Sequence, residues 1–142
     1  AKREGATVLT GGDATGAPGC YVKPTVLVDI RQSMSVVQEE IFGPVLVAGR
    51  FSDEAEALAL ANDTVYGLGA SIWTRDLNNA HLLASQIDTG TVWINTHNVL
   101  DTAMPFGGTK LSGLGREFGS EAIHAYTEPR AVCMRLEFGD AG

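Results

Sequence analysis

Two hydrophobic periods alternate along the chain, and the switches between them mark its elements. Residues 6–10 (ATVLT) and 21–30 (YVKPTVLVDI) are β-branched runs that suit strands. Between them, residues 11–19 are dense in Gly, Asp and Pro, the composition of a connecting loop. That loop lacks the glycine spacing of a dinucleotide fingerprint or a phosphate-binding loop. Residues 45–51 (VLVAGRF) are nearly all apolar, as in a strand buried on both faces. Ser52 or Asp53 then offers an N-cap, and Asp53 with Glu56 makes a capping-box-like pair. An Ala- and Leu-rich helix is predicted over 54–62, and a strand over 67–73 (GLGASIW). Thr74 or Asp76 caps the next helix. Its apolar positions Leu77, Ala80, Leu83, Ala84 and Ile87 form one face, and Gly90 stops it. Residues 91–94 (TVWI) make a third strand.

The order is strand–helix–strand–helix–strand. Connections of this length favour parallel strands with right-handed crossovers, so the expected class is α/β with a parallel βαβαβ core. Ligand sites in such sheets collect at the carboxyl ends of the strands. The third strand runs into a long non-periodic stretch, residues 95–119, which carries Pro105 and Gly107, Gly108, Gly113, Gly115 and Gly119. A loop that long inside a compact domain is usually functional. Residues 120–126 read as a short helix. Residues 131–138 (AVCMRLEF) read as a last strand, in which Arg135 and Glu137 alternate with apolar neighbours as on an exposed edge. Residues 1–5 (AKREG) resemble the tail of a surface helix. With no initiator Met, the chain is expected to start within a longer protein.

Composition narrows the function classes. Of the 142 residues, 44% are apolar and 19% charged, so a packed core is expected rather than disorder. The net charge of −7 argues against a nucleic-acid or anionic-membrane partner, because phosphates attract clustered Lys and Arg. No apolar run approaches the roughly 20 residues that span a bilayer. Cys20 and Cys133 lie far apart and form neither a disulfide framework nor a zinc site, which suits a reducing, cytoplasmic compartment. His81, His97 and His124 match no metal motif, so no metal is expected. Asn62-Asp63-Thr64 has the form of a glycosylation sequon and reads as a chance match.

Two segments are far more specific than these patterns. They are residues 38–45 (QEEIFGPV) and 105–117 (PFGGTKLSGLGRE), accompanied in order by 61–68 (ANDTVYGL) and 90–95 (GTVWIN). In this register they resemble the C-terminal part of the NAD(P)-dependent aldehyde dehydrogenase superfamily, over essentially the whole chain. Residues 95–101 (NTHNVLD) are most similar to the phenylacetaldehyde and betaine-aldehyde branches. The resemblance implies that residues 1–111 are the distal part of the catalytic domain. Residues 112–126 would be a loop with a short helix, and 127–142 the oligomerisation strand and tail.

The resemblance also implies roles. Glu40 would accept hydrogen bonds from the nicotinamide ribose hydroxyls, since an ionised carboxylate only accepts. Phe42 would pack near the nicotinamide ring. Phe106 and Leu100 would line the aldehyde tunnel, Glu117 would help relay protons to the general base, and Arg116 would meet Glu128 at or near a subunit interface. The family's nucleophilic cysteine, its general-base glutamate and most of its dinucleotide-binding domain match positions upstream of Ala1. Cys20 and Cys133 are therefore read as unactivated, buried thiols. The expected whole is an enzyme oxidising an aldehyde to a carboxylic acid with NAD or NADP. Its partners would be the aldehyde, the N-terminal remainder of the enzyme, and a further copy or copies in a homodimer or homotetramer. This chain alone would be inert. The alternative is a non-catalytic binding or oligomerisation module derived from that fold.

Overall fold

A computed structural model describes residues 1–136. After a 3-10 turn at Lys2–Glu4, β1 (Thr7–Thr10) runs antiparallel to β2 (Thr25–Val28), with a register irregularity between Val8 and Thr10. The Gly-rich connection between them turns at Gly11, φ +74, where an added Cβ would stand 2.2 Å from the Pro24 carbonyl oxygen. Thr25 and Leu27 of β2 point into the core at 6% and 5% exposure. Buried Thr25 is satisfied locally: its hydroxyl accepts from Gly12 N (2.8 Å) and donates to Lys23 O (2.9 Å).

β3 (Val45–Val47) pairs parallel with β2. Between them lies a short helix, α1 (Ser35–Gln38), entered through Met34, the most buried large side chain at 1% exposure. Ser35 donates through its N–H and its hydroxyl to Glu4, each at 2.9 Å. The Ser35 N–H bond first, then the Ala1 ammonium 3.1 Å away and the Ser35 hydroxyl, hold the Glu4 carboxyl down at about 2.

The capping residues act where the sequence places them. Asp53 caps α2 (Glu54–Asn62) by accepting from Glu56 N, and Asp76 caps α3 (Leu77–Ala84) by accepting from Asn79 N. The Glu56 carboxylate turns back, but to the N–H (2.7 Å) and hydroxyl (2.6 Å) of Ser52 rather than to the Asp53 N–H.

The α/β class holds, with mixed sheets, but the helices do not link one continuous parallel sheet. β3 sits at the edge of the β1-β2-β3 sheet, and Leu46 is 61% exposed, so β3 is not buried on both faces of this chain. The strand expected over 67–73 divides at Leu68. β4 (Tyr66–Gly67) pairs antiparallel with β7 (Thr109–Lys110), while β5 (Gly69–Ile72) pairs parallel with β6 (Thr91–Ile94) across α3. Two separate parallel pairs are thus realised, β2-α1-β3 and β5-α3-β6, in different sheets. Helix α3 buries Ala80 completely, but Leu77 is 63% exposed, because no element of the described residues covers that end of the face.

The short helix over 120–126 is present as α4 (Glu121–His124). Residues 131–136 carry no strand pairing, and Val132, Met134 and Leu136 are exposed; residues 137 and 138 of the expected strand lie outside the described residues. A strand needs a neighbouring edge to satisfy its backbone, and none among the described residues is paired with this segment.

A candidate active-site face

The loop after β6 is secured at its first residue. Asn95 adopts a left-handed conformation at φ 55, and its side-chain amide grips both backbone groups of Thr74. Two residues on, His97 Nδ1 lies 2.7 Å from the Ser71 hydroxyl, and its ring stands edge-on to Trp93 at 5.5 Å between centroids. Trp93, 9% exposed, donates its indole N–H to Val99 O at 2.8 Å. These bonds hold residues 95–99 against the carboxyl ends of β5 and β6.

Phe106 lies beyond that turn, 6.4 Å from Trp93 between ring centroids. It exchanges two backbone hydrogen bonds of 2.7 Å with Glu117, closing the Gly-rich stretch into a loop. Glycine is required inside it by close approach. A Cβ on Gly107 would lie 2.4 Å from Gly115 O, and one on Gly108 would lie 2.5 Å from Ser112 Cβ. Arg116 donates to Gly108 O (2.6 Å) and Gly115 O (2.9 Å), which keeps the loop folded on itself. The result is an open cavity of about 920 Å³ lined in part by Leu68, Phe106, Ser112, Arg116, Glu117 and Tyr126.

A smaller cavity of about 250 Å³ lies beside Glu40, with Thr64, Tyr66, Leu68, Thr89 and Ser112 among its walls. Leu68 and Ser112 line both cavities, so Glu40 and the Phe106–Glu117 loop share a boundary. Periodicity carried no sign of Ser112. Its hydroxyl accepts from Gly67 N at 3.0 Å, across 45 residues of chain. Glu40 is exposed and makes no hydrogen bond or ion pair among the described residues. Phe42 is 95% exposed and sits at φ 52, an unfavourable conformation for a bulky side chain. A free acceptor-only carboxylate and a bare aromatic ring are the two chemistries that suit ribose hydroxyls and a flat heteroaromatic ring.

The other sequence candidates are placed less favourably. Leu100 is 48% exposed and lines neither cavity. Arg116 and Glu128 do not pair within the chain: the Arg116 guanidinium is bonded to loop carbonyls, and Glu128 lies in the exposed segment after α4. Cys20 and Cys133 are free thiols and both are exposed, not buried, because the strands expected around them start later or do not pair. No group of three His, Cys, Asp or Glu side chains among the described residues is arranged to hold a metal ion.

The Gly-rich loop and the unpartnered Glu40 carboxylate thus border adjoining cavities. The aldehyde dehydrogenase family model matches residues 1–132, and the chain belongs to that family. It is 49% identical over 140 residues to an aldehyde dehydrogenase of Emericella nidulans, covering 99% of this chain and 28% of the relative. It is 46% identical over 141 residues to a betaine aldehyde dehydrogenase of Cereibacter sphaeroides, covering 99% and 29%. The NAD+ complex of an aldehyde dehydrogenase from Bacillus cereus superposes with a TM-score of 0.86 at 48% identity, over 89% of this chain and 26% of that one. The chain thus spans a little over a quarter of the length of these relatives.

Proposed function

We propose that this chain forms the distal catalytic-domain wall of an NAD(P)-dependent aldehyde dehydrogenase, which oxidises an aldehyde to a carboxylic acid. The observation that carries this reading is the shared boundary of the two cavities. Glu40 lines one of them, Phe106 and Glu117 the other, and Phe42 follows Glu40 by two residues with its ring exposed. NAD(P)+, when bound, supplies the hydride acceptor. Glu40 accepts from the ribose hydroxyls, and Phe42 packs against the nicotinamide side and excludes water there. Phe106 offers an apolar wall to the aldehyde, with Leu100 a further wall once other parts of the enzyme close over it. Glu117 is placed to pass protons at the cavity rim.

Residues 1–111 are assigned to the catalytic domain, 112–126 to the loop and short helix, and 127–142 to an oligomerisation strand and tail. Exposed Val132, Met134 and Leu136, with Leu114 and Tyr126, support burial against further protein, in the same chain or in a homodimer or homotetramer. Arg116 and Glu128 then meet between subunits. No helix of the described residues is long and apolar enough to cross a membrane. The two free thiols support a cytoplasmic location.

Without a thiolate to attack the aldehyde and a base to activate water, the chain alone turns nothing over. Any aldehyde oxidation by the purified chain refutes that. In the full-length enzyme, Glu40→Gln slows hydride transfer in single turnovers more than it weakens NAD+ binding, because near-attack geometry is narrow. A raised KM for NAD+ with an unchanged hydride step counts against the role of Glu40.

A further inference from the structure

Helix α2 ends without a left-handed glycine; its C-cap, Asp63, sits at φ −80, ψ 63. The last carbonyls of a helix lack intrahelical partners and form the negative end of its dipole. Here donors from outside the helix supply the partners. Gln32 Nε2 donates to Leu60 O (3.2 Å) and Asp63 O (2.8 Å). Gln38 Nε2 donates to Asp63 O (2.9 Å) and Gln32 O (3.0 Å). Lys110 Nζ donates to Asn62 O (3.0 Å) and Thr64 O (3.2 Å), and lies 3.3 Å from Asp88 Oδ2.

The origin of two of these donors gives the turn its meaning. Gln38 stands two residues before Glu40 and four before Phe42. Lys110 closes the run that begins at Phe106. Three acceptors use all three protons of the Lys110 ammonium, and its backbone is held at φ 51, a conformation that persists only where surroundings impose it. The Asn62 amide completes the assembly by donating to Gln86 O (2.9 Å) and accepting from Asp88 N (2.8 Å). The sequon-like triplet serves here as a structural anchor.

We infer that the Asn62-Asp63-Thr64 turn is the common anchor that registers the loop of Glu40 and Phe42 against the loop of Phe106, with Gln38 and Lys110 as positioning residues. This deepens the proposed dehydrogenase reading and rests on it. The cavity beside Glu40 is walled by Thr64 of this turn, by Ala61 of α2 just before it and by Ser112, just past Lys110, so a shift of either loop alters the space between them. Small displacements of that kind are costly when a hydride must pass between two bound molecules.

The test uses the full-length enzyme with Gln38→Met, Lys110→Met, and the donor-retaining Gln38→Lys and Lys110→Arg. Amide hydrogen exchange is followed over residues 39–43 and 105–111, alongside steady-state and single-turnover kinetics. Gln38→Met should speed exchange over 39–43, raise the KM for NAD+ and slow hydride transfer roughly tenfold or more, with the aldehyde KM unchanged. Lys110→Met should speed exchange over 105–111 and raise the aldehyde KM. Gln38→Lys and Lys110→Arg should restore both readouts. Wild-type exchange over 39–43 in Gln38→Met overturns the anchor. Faster exchange with wild-type constants overturns the positioning role. If a Met variant fails to fold, the isosteric Gln38→Glu, whose carboxylate is repelled by the same carbonyls, decides in its place. A wild-type enzyme that reduces no NAD+ with any aldehyde refutes the dehydrogenase reading instead, and the exchange data still decide the anchor.

Discussion

Asn95 holds Thr74 by both ends: Thr74 N donates to Asn95 Oδ1 at 2.9 Å, and Asn95 Nδ2 donates to Thr74 O at 2.8 Å. The amide thereby imitates a strand partner one step beyond the last ladder pair, Ile72 with Ile94. Asn tolerates the left-handed φ of 55 that aims its side chain there. Asn95→Ala is expected to destabilise the full-length enzyme by about 1–3 kcal/mol, combining two lost hydrogen bonds with a strained backbone. Asn95→Gly removes only the bonds. Denaturant unfolding of the two variants should place Gly between wild type and Ala, and equal stability of all three would remove the amide's role.

Gly90 has the tightest surroundings of the described glycines. A Cβ there would stand 1.6 Å from the Gly107 carbonyl oxygen, and backbone cannot swing aside as a side-chain tip can. Gly90→Ala should cost about 1–3 kcal/mol or more and displace the Phe106 loop. A lower Tm together with a raised aldehyde KM is the expected pair of results. A wild-type Tm would show that the loop yields freely.

Glu56 provides a pH-dependent contribution. Its carboxyl is held below the ordinary 4.5, chiefly by the hydrogen bond from the Ser52 hydroxyl and then by that from the Ser52 N–H. A depressed folded value means the native state favours the charged form. Its stabilisation is complete above the unfolded value and fades as pH falls through the lowered folded one. Glu56→Gln should therefore be less stable than wild type near neutral pH, with the difference shrinking on acidification below about 4.5. Parallel melts across pH 3–7 check this, and a pH-independent difference would point to lost packing.

Phe42 pairs exposure with strain. Its ring is 95% exposed and its backbone is left-handed, so Phe42→Gly should relieve about 1–2 kcal/mol of backbone strain. Function should move the other way, with slower hydride transfer once the nicotinamide loses its neighbour. Single-turnover rates and Tm, measured on the full-length enzyme, separate the two effects. A variant that is both less stable and equally fast would reverse the assignment.

Local chemistry was legible without coordinates wherever cause and effect lie within one turn of chain. Asp53 and Asp76 cap because their carboxylates reach an N–H three residues on, and α3 follows from the spacing of Ala80 and Leu83. The quoted motifs were enough to place the chain in its family, since their order along the chain does not depend on folding. Tertiary structure decided what depends on distant partners. Leu68 divides one apolar run because Gly67 finds Thr109 while Gly69 finds Thr91. β3 becomes an edge because β2 captures it, and Leu77 stays exposed because nothing among the described residues covers it. Ser112 meets its donor, and Gln38 and Lys110 their acceptors, across 25 to 48 residues, and no hydrophobic period encodes where a helix end will find its missing donors.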